Sequence, residues 1–225
     1  PFGCPGWLQA MIQANYYLKS GDARKALVIG SEILSRVADP HDRDSMIYAD
    51  GAGAAILEAK MSDEPVGVLS HVTRSDTFDH AFMLWMDKSY KPNGESDNLY
   101  LKMDGHKLYQ YAISTVPSVV KESLDKAGVA LGDVDKILIH QANAKMDEAI
   151  LRRIYSKYSD DSAPVHIMPM IISRLGNSSV ATLPTLLDMM TKGKLHDHPL
   201  HSGNIIVFAS VGAGMNINSM VYRIP

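Results

Sequence analysis

Gly3-Cys4-Pro5-Gly6 opens the sequence, and an apolar helical pattern follows directly behind it. Cys4 is the only cysteine of the chain, so it is the only thiol that could serve as a nucleophile. Pro5 suits the first turn of a helix, where its missing N–H has no partner to lose. A cysteine at such a helix start faces the positive end of the helix dipole, which favours the thiolate. The alternative interpretation is a small buried hydrophobic residue.

The predicted first helix is recognised by apolar residues on one face, which recur at helical spacing as Trp7, Leu8, Met11, Ile12 and Tyr16. It runs to about Lys19 and ends at Ser20-Gly21, because glycine is a common helix-stop residue. The stretch therefore offers a candidate nucleophile at the start of a buried helix, and its choice over a small buried residue depends on motifs further along the chain.

The composition is that of a globular protein: 225 residues, of which 46% are apolar and 21% charged, with a net charge of −3. This length allows one large domain or two fused halves. No basic stripe is present, which argues against a nucleic-acid partner. No apolar run reaches membrane-spanning length, and a single cysteine fits a reducing compartment. We therefore expect a cytoplasmic protein that binds neither nucleic acid nor membrane.

Short apolar runs alternate with helical patterns along the chain, which predicts an α/β fold with helix-covered sheets. Strands are predicted at 26–30, 54–58, 66–72, 136–139, 165–168, 205–209 and 219–223. Further helices are predicted at 105–127 and 146–158. A last helix is predicted to begin in the run 176–179 and to end near residue 193. The continuous apolar run 26–30 is typical of a strand buried on both faces. Residues 75–96 are interpreted as a long surface excursion.

The two ends of the chain repeat one another in the order helix, strand, glycine turn, strand. The glycine turns are Gly51-Ala52-Gly53 and Gly212-Ala213-Gly214. The repeat predicts duplicated halves related by a pseudo-twofold axis, at residues 1–64 and 65–225, with Cys4 and Asn177 at equivalent helix starts. It also predicts a missing N-terminal segment of roughly a hundred residues, the counterpart of the stretch before Asn177.

Three polar residues are placed at the end of a strand or the start of a helix: Cys4, His140 and Asn177. Open α/β sheets commonly carry their catalytic and ligand-binding residues at such positions. His140 begins the run His-Gln-Ala-Asn behind the strand 136–139, and Asn177 belongs to Gly-Asn-Ser-Ser at 176–179.

These motifs, in this order, resemble the β-ketoacyl-acyl-carrier-protein synthase III family of the thiolase superfamily. Supporting pieces are Pro184, Asp-Pro-His-Asp-Arg at 39–43, Asp-Gly-Ala-Gly-Ala-Ala at 50–55 and Leu-Lys-Met-Asp-Gly at 101–105. The resemblance implies a five-layer αβαβα thiolase-like fold with the N-terminal part of the first half missing. It also implies a homodimer.

The resemblance implies an acyltransferase of fatty acid biosynthesis, which condenses acyl-CoA with malonyl-acyl carrier protein and releases CO₂. Cys4 would carry the acyl group as a thioester, since a thiolate can accept it from a donor thioester. His140 and Asn177 would donate hydrogen bonds to the enolate, and the backbone N–H groups of Cys4 and Ala213 to the tetrahedral oxyanion. Coenzyme A and phosphopantetheine thioesters are substrates, with no cofactor and no metal required.

Outer positions follow from the same resemblance. Arg43 would contact the coenzyme A nucleotide, Asn143 would line the pantetheine tunnel, and Lys145 would dock the carrier protein. Solvated surface charge is the alternative for Arg43 and Lys145. Tyr48 falls where the family has a large residue shaping the acyl pocket. Residues 196–201 carry three histidines, which we interpret as part of a polar surface loop in preference to a metal site.

Other functions stay open. A specialised relative would make alkyl-resorcinols, alkyl-quinolones or head-to-head fatty acid products. A non-catalytic partner subunit of a condensing heterodimer is another candidate. Such a subunit would not need Cys4, His140 and Asn177 together, and this sequence retains all three. A plant-type polyketide synthase fits the motifs less well, and the order of the motifs argues against an unrelated α/β binding protein.

Overall fold

A computed structural model describes residues 2–92, 97–158 and 162–225. The helices of the described chain are α1 Gly6–Ser20, α2 Thr77–His80, α3 Gly105–Ala127, α4 Ala144–Ser156, α5 Ile172–Leu175 and α6 Thr182–Thr191. The strands are β1 Lys25–Ile33, β2 Asp50–Glu58, β3 Gly67–Ser75, β4 Leu84–Asp87, β5 Tyr100–Met103, β6 Lys136–Ile139, β7 Ile205–Gly212 and β8 Asn216–Arg223.

The central sheet has four strands in the order β3-β8-β7-β6. β6 runs parallel to β7, whereas β8 is antiparallel to both β7 and β3. Two further sheets have two antiparallel strands each, β1 with β2 and β4 with β5. The register of Ile139 opposite Ala209 continues into a hydrogen bond from the His140 N–H to the Ala209 carbonyl, so the strand end delivers His140 in a fixed position.

Both faces of the central sheet are covered, because successive side chains of β7 point in opposite directions. Val207 and Ala209 pack into a core with α3 and α4, whereas Ile206 and Phe208 pack into a second core with α1 and α6. Side chains of β1 and β2 close the far side of that second core. In the described part of the chain, four layers thus follow one another: α3 with α4, the central sheet, α1 with α6, and the β1–β2 sheet.

Among the described residues the first strand is buried on one face only, whereas the sequence predicted burial on both faces with a missing N-terminal segment as the cover. Along β1, Val28 and Gly30 are buried, whereas Leu27 and Ile29 are 62% and 58% exposed. The physical reason is that β1 pairs only with β2, and that only one face of this small sheet packs against helices. The continuous apolar run predicted a strand, but it could not predict which elements cover the two faces of that strand.

The predicted strand at 165–168 does not form either. Val165 is exposed, and the backbone of His166 has a φ of 64°, a left-handed conformation that interrupts an extended strand. Pro164 and Pro169 flank the segment, and proline cannot donate to a strand ladder. Two hydrogen bonds tie this loop to β6: the Ile137 N–H donates to the Ile167 carbonyl, and the Lys136 ammonium donates to the His166 carbonyl at 2.8 Å.

The other predicted elements are confirmed, with shifts at their ends. The predicted helix start at Asn177 is wrong, however: α6 begins at Thr182, and Asn177 pairs instead in an isolated bridge with Tyr48, because its backbone is held by the segment that follows Arg43. α1 ends at Gly21, which adopts a left-handed φ of 83°, and α3 and β6 have the predicted bounds. The order helix, strand, strand recurs as α1–β1–β2 and α6–β7–β8. The predicted surface excursion contains α2 and β4, while its residues 93–96 lie outside the described residues. The division into halves at residue 64 stays a prediction.

Among the helices that the described residues form, α3 included, none combines the length and the apolarity needed to cross a bilayer.

Candidate active site

A pocket of about 670 Å³ opens where the two ends of the chain meet. This volume lies within the usual range for small-molecule sites. The sequence-predicted residues that the pocket brings together are Cys4, Arg43, Tyr48, His140, Asn143, Asn177 and Ala213. Glu32 and Ser179, to which the sequence assigned no role, also line it. Lys145 is not among the lining residues; it is exposed near the start of α4.

Cys4 precedes α1 in a tight turn, in which the Gly6 N–H donates to the Gly3 carbonyl at 2.8 Å. The residue is partly exposed to the pocket, yet the surrounding protein withholds water from its sulfur. Burial is the main influence and raises the pKa of the Cys4 thiol to about 11, against an opposing hydrogen bond from Ser179. Desolvation of the sulfur thus opposes the helix start, which by itself favours the thiolate.

The turn after β7 lies directly against Cys4. A Cβ atom added to Gly212 would lie 2.8 Å from the Cys4 Cβ and 2.9 Å from the Cys4 nitrogen. On the other side, a Cβ added to Gly3 would lie 3.0 Å from the Ala213 Cβ and 3.2 Å from its nitrogen. Since neither glycine position has room for a side chain, the backbone groups of Cys4 and Ala213 are held at one corner of the pocket. This is where the sequence predicted the oxyanion donors.

Asn177 is anchored by the segment that follows Arg43. Its N–H donates to the Ile47 carbonyl at 2.8 Å, and its carbonyl accepts from the Ala49 N–H at 2.9 Å. The side-chain oxygen Oδ1 accepts a hydrogen bond from the Ser179 N–H at 2.8 Å. That bond fixes the orientation of the amide, so the NH₂ end of the Asn177 side chain is the end left to donate to a ligand.

His140 is held by its own backbone and by its neighbour. The Gln141 Nε2 donates to the Pro169 carbonyl, and its Oε1 accepts from the N–H groups of Ile171 and Ile172, each at 2.8 Å. Burial lowers the pKa of His140 to about 4, although the nearby Asp147 carboxylate acts in the opposite direction. The imidazole is therefore neutral at physiological pH, and it can offer a ligand one N–H without carrying a charge.

Asp147 stands behind His140 on α4 and is fully buried. Neither of its carboxylate oxygens nor the His140 Nδ1 has a hydrogen-bond partner among the described residues. Burial raises the pKa of Asp147 to about 8, partly offset by His140. The sequence analysis missed this residue. The available signal was an acidic residue on the apolar face of α4, beside Ile150 and Ile154.

Replacing Asp147 by asparagine is expected to flatten the pH dependence of stability between pH 6.5 and about 8. Over that interval the folded state binds the Asp147 proton and the unfolded state does not, so the free energy of unfolding falls as pH rises, by at most about 1.4 kcal/mol per pH unit. Below pH 6.5, the lowered pKa of His140 gives the opposite slope and masks the effect. Urea unfolding at a series of pH values measures this.

The exposed neighbour Glu148 supplies the control for that experiment, as Glu148→Gln should leave the slope unchanged. An equal loss of stability in Asp147→Asn and the wild type between pH 6.5 and 8 would show that burial does not keep the Asp147 carboxyl protonated.

Asn143 and Arg43 both lie at the rim of the pocket, where they are exposed. The Asn143 side-chain oxygen caps α4 by accepting from the N–H groups of Lys145 and Met146. Tyr48 is more enclosed, and burial raises the pKa of its hydroxyl to about 12. These placements allow the predicted contacts with a long thioester arm, but the roles themselves stay predictions.

A buried ion pair fixes the segment that carries Arg43. The Lys102 ammonium on β5 pairs with Asp39, lies 3.5 Å from Asp42 and sits 3.5 Å above the centre of the Tyr90 ring. Burial alone would raise the pKa of Asp39, but Lys102 and three further hydrogen bonds hold the pKa of that carboxyl well below its usual range. The loop that begins the Arg43 segment is thus tied to β5.

Lys102→Met is expected to lower the free energy of unfolding by about 3–5 kcal/mol, because it leaves the buried Asp39 carboxylate without its cation. The double variant Asp39→Asn with Lys102→Met should recover much of that loss. Urea titration measures both, with Lys88→Met as an exposed control. An equal loss in the single and the double variant would show that the charge of Asp39 is not what destabilises the protein.

The histidines of the segment 196–201 lie on a surface loop, where His198 Nδ1 is 3.0 Å from the His166 carbonyl. Across residues 2–92, 97–158 and 162–225, no three histidine, cysteine or acidic side chains gather as a metal site.

Comparison with known proteins identifies the family of this chain and its fold. Family profiles described as 3-oxoacyl-[acyl-carrier-protein] synthase III and its C-terminal part match residues 2–77 and 124–224. A β-ketoacyl-[acyl-carrier-protein] synthase III of Erythrobacter litoralis is 32% identical over 222 residues, which are 98% of this chain and 65% of the relative.

Solved structures agree. The β-ketoacyl-[acyl-carrier-protein] synthase III of Thermus thermophilus superposes with a TM-score of 0.84 at 28% identity, over 100% of this chain and 66% of that chain. The 3-oxoacyl-(acyl carrier protein) synthase III of Pseudomonas aeruginosa also gives 0.84, at 25% identity, over 99% and 65% of the two chains.

The class is thus a thiolase-type α/β fold, which confirms the predicted fold class. More narrowly, the chain belongs to the 3-oxoacyl-[acyl-carrier-protein] synthase III family, as the resemblance of its motifs indicated. The chain spans 65% of the length of the Erythrobacter relative.

Proposed function

We propose that this protein is a condensing acyltransferase that joins the acyl group of an acyl-CoA to malonyl-acyl carrier protein, giving a 3-ketoacyl product in fatty acid biosynthesis. The observation that carries the proposal is that Cys4, the only thiol, shares one pocket with His140 and Asn177. The names of the relatives in the same family support the same reaction class.

In the first step, the Cys4 sulfur attacks the carbonyl carbon of the acyl-CoA thioester, and the C–S bond to coenzyme A breaks. The proton lost by the Cys4 thiol ends on the departing coenzyme A thiol, so the exchange is balanced. Because the pKa of Cys4 is about 11, the thiol is the resting form and loses its proton as the attack proceeds.

In the second step, malonyl-acyl carrier protein enters the pocket and loses CO₂, which leaves an enolate. His140 donates one ring N–H to the enolate oxygen, and the Asn177 NH₂ group donates the second hydrogen bond. A neutral His140 serves this purpose, since the acceptor needs a hydrogen bond and no full proton transfer.

In the third step, the enolate carbon attacks the acyl group on Cys4. The backbone N–H groups of Cys4 and Ala213 stabilise the tetrahedral oxyanion at the corner formed by Gly3 and Gly212. Collapse of this intermediate breaks the bond to Cys4, whose thiolate takes up one proton. The products are the 3-ketoacyl carrier protein, CO₂ and coenzyme A.

The outer residues bind the two substrates. Arg43 at the rim contacts the nucleotide phosphates of coenzyme A, and Asn143 lies along the pantetheine arm. Lys145, exposed near the start of α4, meets the carrier protein. The proposal needs no cofactor besides the thioester substrates. It includes a cytoplasmic homodimer, and a further N-terminal segment as the repeat predicts.

A condensation assay tests the proposal. The purified protein is incubated with acyl-CoA and malonyl-acyl carrier protein, and the carrier protein is weighed by mass spectrometry. A 3-ketoacyl group on the carrier protein is the expected result. A product formed from two acyl thioesters without malonyl would favour head-to-head condensation. No product from a protein whose Cys4 stays unacylated would favour the non-catalytic partner subunit.

A further inference from the structure

A hydrogen bond links the nucleophile to a residue at the other end of the chain. The Ser179 hydroxyl donates to the Cys4 sulfur with an Oγ–Sγ distance of 3.4 Å, between residues 175 positions apart. Ser179 is 6% exposed and lines the same pocket as Cys4. The buried hydroxyl is thus held in place as a donor to the sulfur.

The backbone of Ser179 adopts a conformation that few residues other than glycine take. Its φ is 52°, in the left-handed region, which costs free energy for a residue with a side chain. In this conformation the Ser179 N–H donates to the Asn177 Oδ1 at 2.8 Å while the Ser179 hydroxyl reaches Cys4. One residue thus contacts both the nucleophile and the predicted enolate donor.

The neighbouring serine does not share this geometry. Ser178 is equally buried, at 7% exposed, but it packs against Gly51 of β2, where an added Cβ would lie 2.9 Å from the Ser178 Cβ. The two serines therefore form a matched pair, of which one contacts the nucleophile and the other the β1–β2 sheet.

We propose that Ser179 is a positioning residue whose hydroxyl stabilises the Cys4 thiolate as it forms, while its N–H orients the Asn177 amide. The inference deepens the proposed function and rests on it for its biological meaning. A hydrogen bond from a hydroxyl to an ionised sulfur is stronger than one to the neutral thiol, so it favours the charged form.

The Ser179 hydroxyl counteracts other groups around Cys4 that disfavour the thiolate. Burial disfavours the thiolate, and the carboxylate of Glu32 on β1 disfavours it further. The Ser179 hydroxyl and the Cys4 backbone act in the opposite direction. The other titratable or charged side chains that line the pocket are Arg43, Asp44, Tyr48, Tyr109 and His140. Of these, His140 is neutral at physiological pH, since burial lowers its pKa to about 4.

The test is the pH profile of Cys4 alkylation by iodoacetamide, which reports on the only thiol in the chain. Two variants remove the hydroxyl, Ser179→Ala and Ser179→Gly, and both keep the backbone N–H that Asn177 uses. Glycine adopts a φ of 52° without strain, so Ser179→Gly stays folded even if the alanine variant does not. Ser178→Ala is the matched control.

Below the midpoint of the profile, alkylation of both Ser179 variants is expected to be about tenfold slower than that of the wild type, equivalent to an upward shift of about one pH unit. Ser178→Ala should alkylate as the wild type does. A Ser179→Gly variant that folds and keeps the wild-type midpoint would overturn the inference.

Alkylation needs no acyl substrate, so the two proposals can fail separately. A shifted midpoint in a protein without condensing activity would leave the Ser179 inference standing and remove the proposed function. An unshifted midpoint in an active condensing enzyme would do the reverse.

Discussion

Cys4→Ala is expected to abolish acyl transfer, with condensation falling by at least about a thousandfold, because removal of a covalent nucleophile has effects of this size or larger. The side chain is small and partly exposed to the pocket, so the substitution should leave the fold intact. Release of free coenzyme A from acyl-CoA measures the first half-reaction, and formation of the 3-ketoacyl carrier protein measures the whole.

Release of CO₂ from malonyl-acyl carrier protein provides an internal control for Cys4→Ala. His140 and Asn177 line the pocket independently of the sulfur, so Cys4→Ala should still release CO₂ slowly from malonyl-acyl carrier protein. A Cys4→Ala protein that forms 3-ketoacyl product at the wild-type rate would show that another group carries the acyl chain.

His140→Ala and Asn177→Ala are each expected to slow condensation by about a hundredfold to a thousandfold, the usual cost of removing one donor to an oxyanion. Acylation of Cys4 should fall much less, because neither side chain is needed to accept the acyl group. If both donors serve the same enolate oxygen, the double variant should lose less than the product of the two single losses.

Single-turnover measurements separate the two half-reactions, with acylation followed by release of coenzyme A and decarboxylation by release of CO₂. His198→Ala, on the surface loop, is the histidine control. An equal loss of acylation and condensation in the His140 variant would contradict the assignment of His140 to the enolate.

The elements that sequence alone located well are those with strong local patterns. The bounds of α3 and β6 follow from helical spacing over many turns and from a short apolar run that ends at His140. The outer face of β1 could not be predicted in the same way. Whether Leu27 and Ile29 are buried depends on which other elements pack against that face of β1, and an apolar run in the sequence does not reveal those elements.

The site also has features that the sequence could predict and features that depend on the folded structure. The meeting of Cys4, His140 and Asn177 in one pocket was predictable, because each belongs to a recognisable motif, although Asn177 lies ahead of α6 and not at its start. The ionisation of Cys4 was not, since its pKa depends on how much water the folded pocket excludes. The contact of Ser179 with Cys4 likewise arises from a left-handed backbone that serine rarely adopts.

The most direct test of the central claim, that Cys4 accepts the acyl group, is intact-mass spectrometry of the purified protein after incubation with short- and long-chain acyl-CoAs. We predict a mass gain equal to one acyl group, mapping to the peptide that contains Cys4 and absent from Cys4→Ala. An adduct on any other residue, or an unmodified protein that still forms 3-ketoacyl product, would contradict the account.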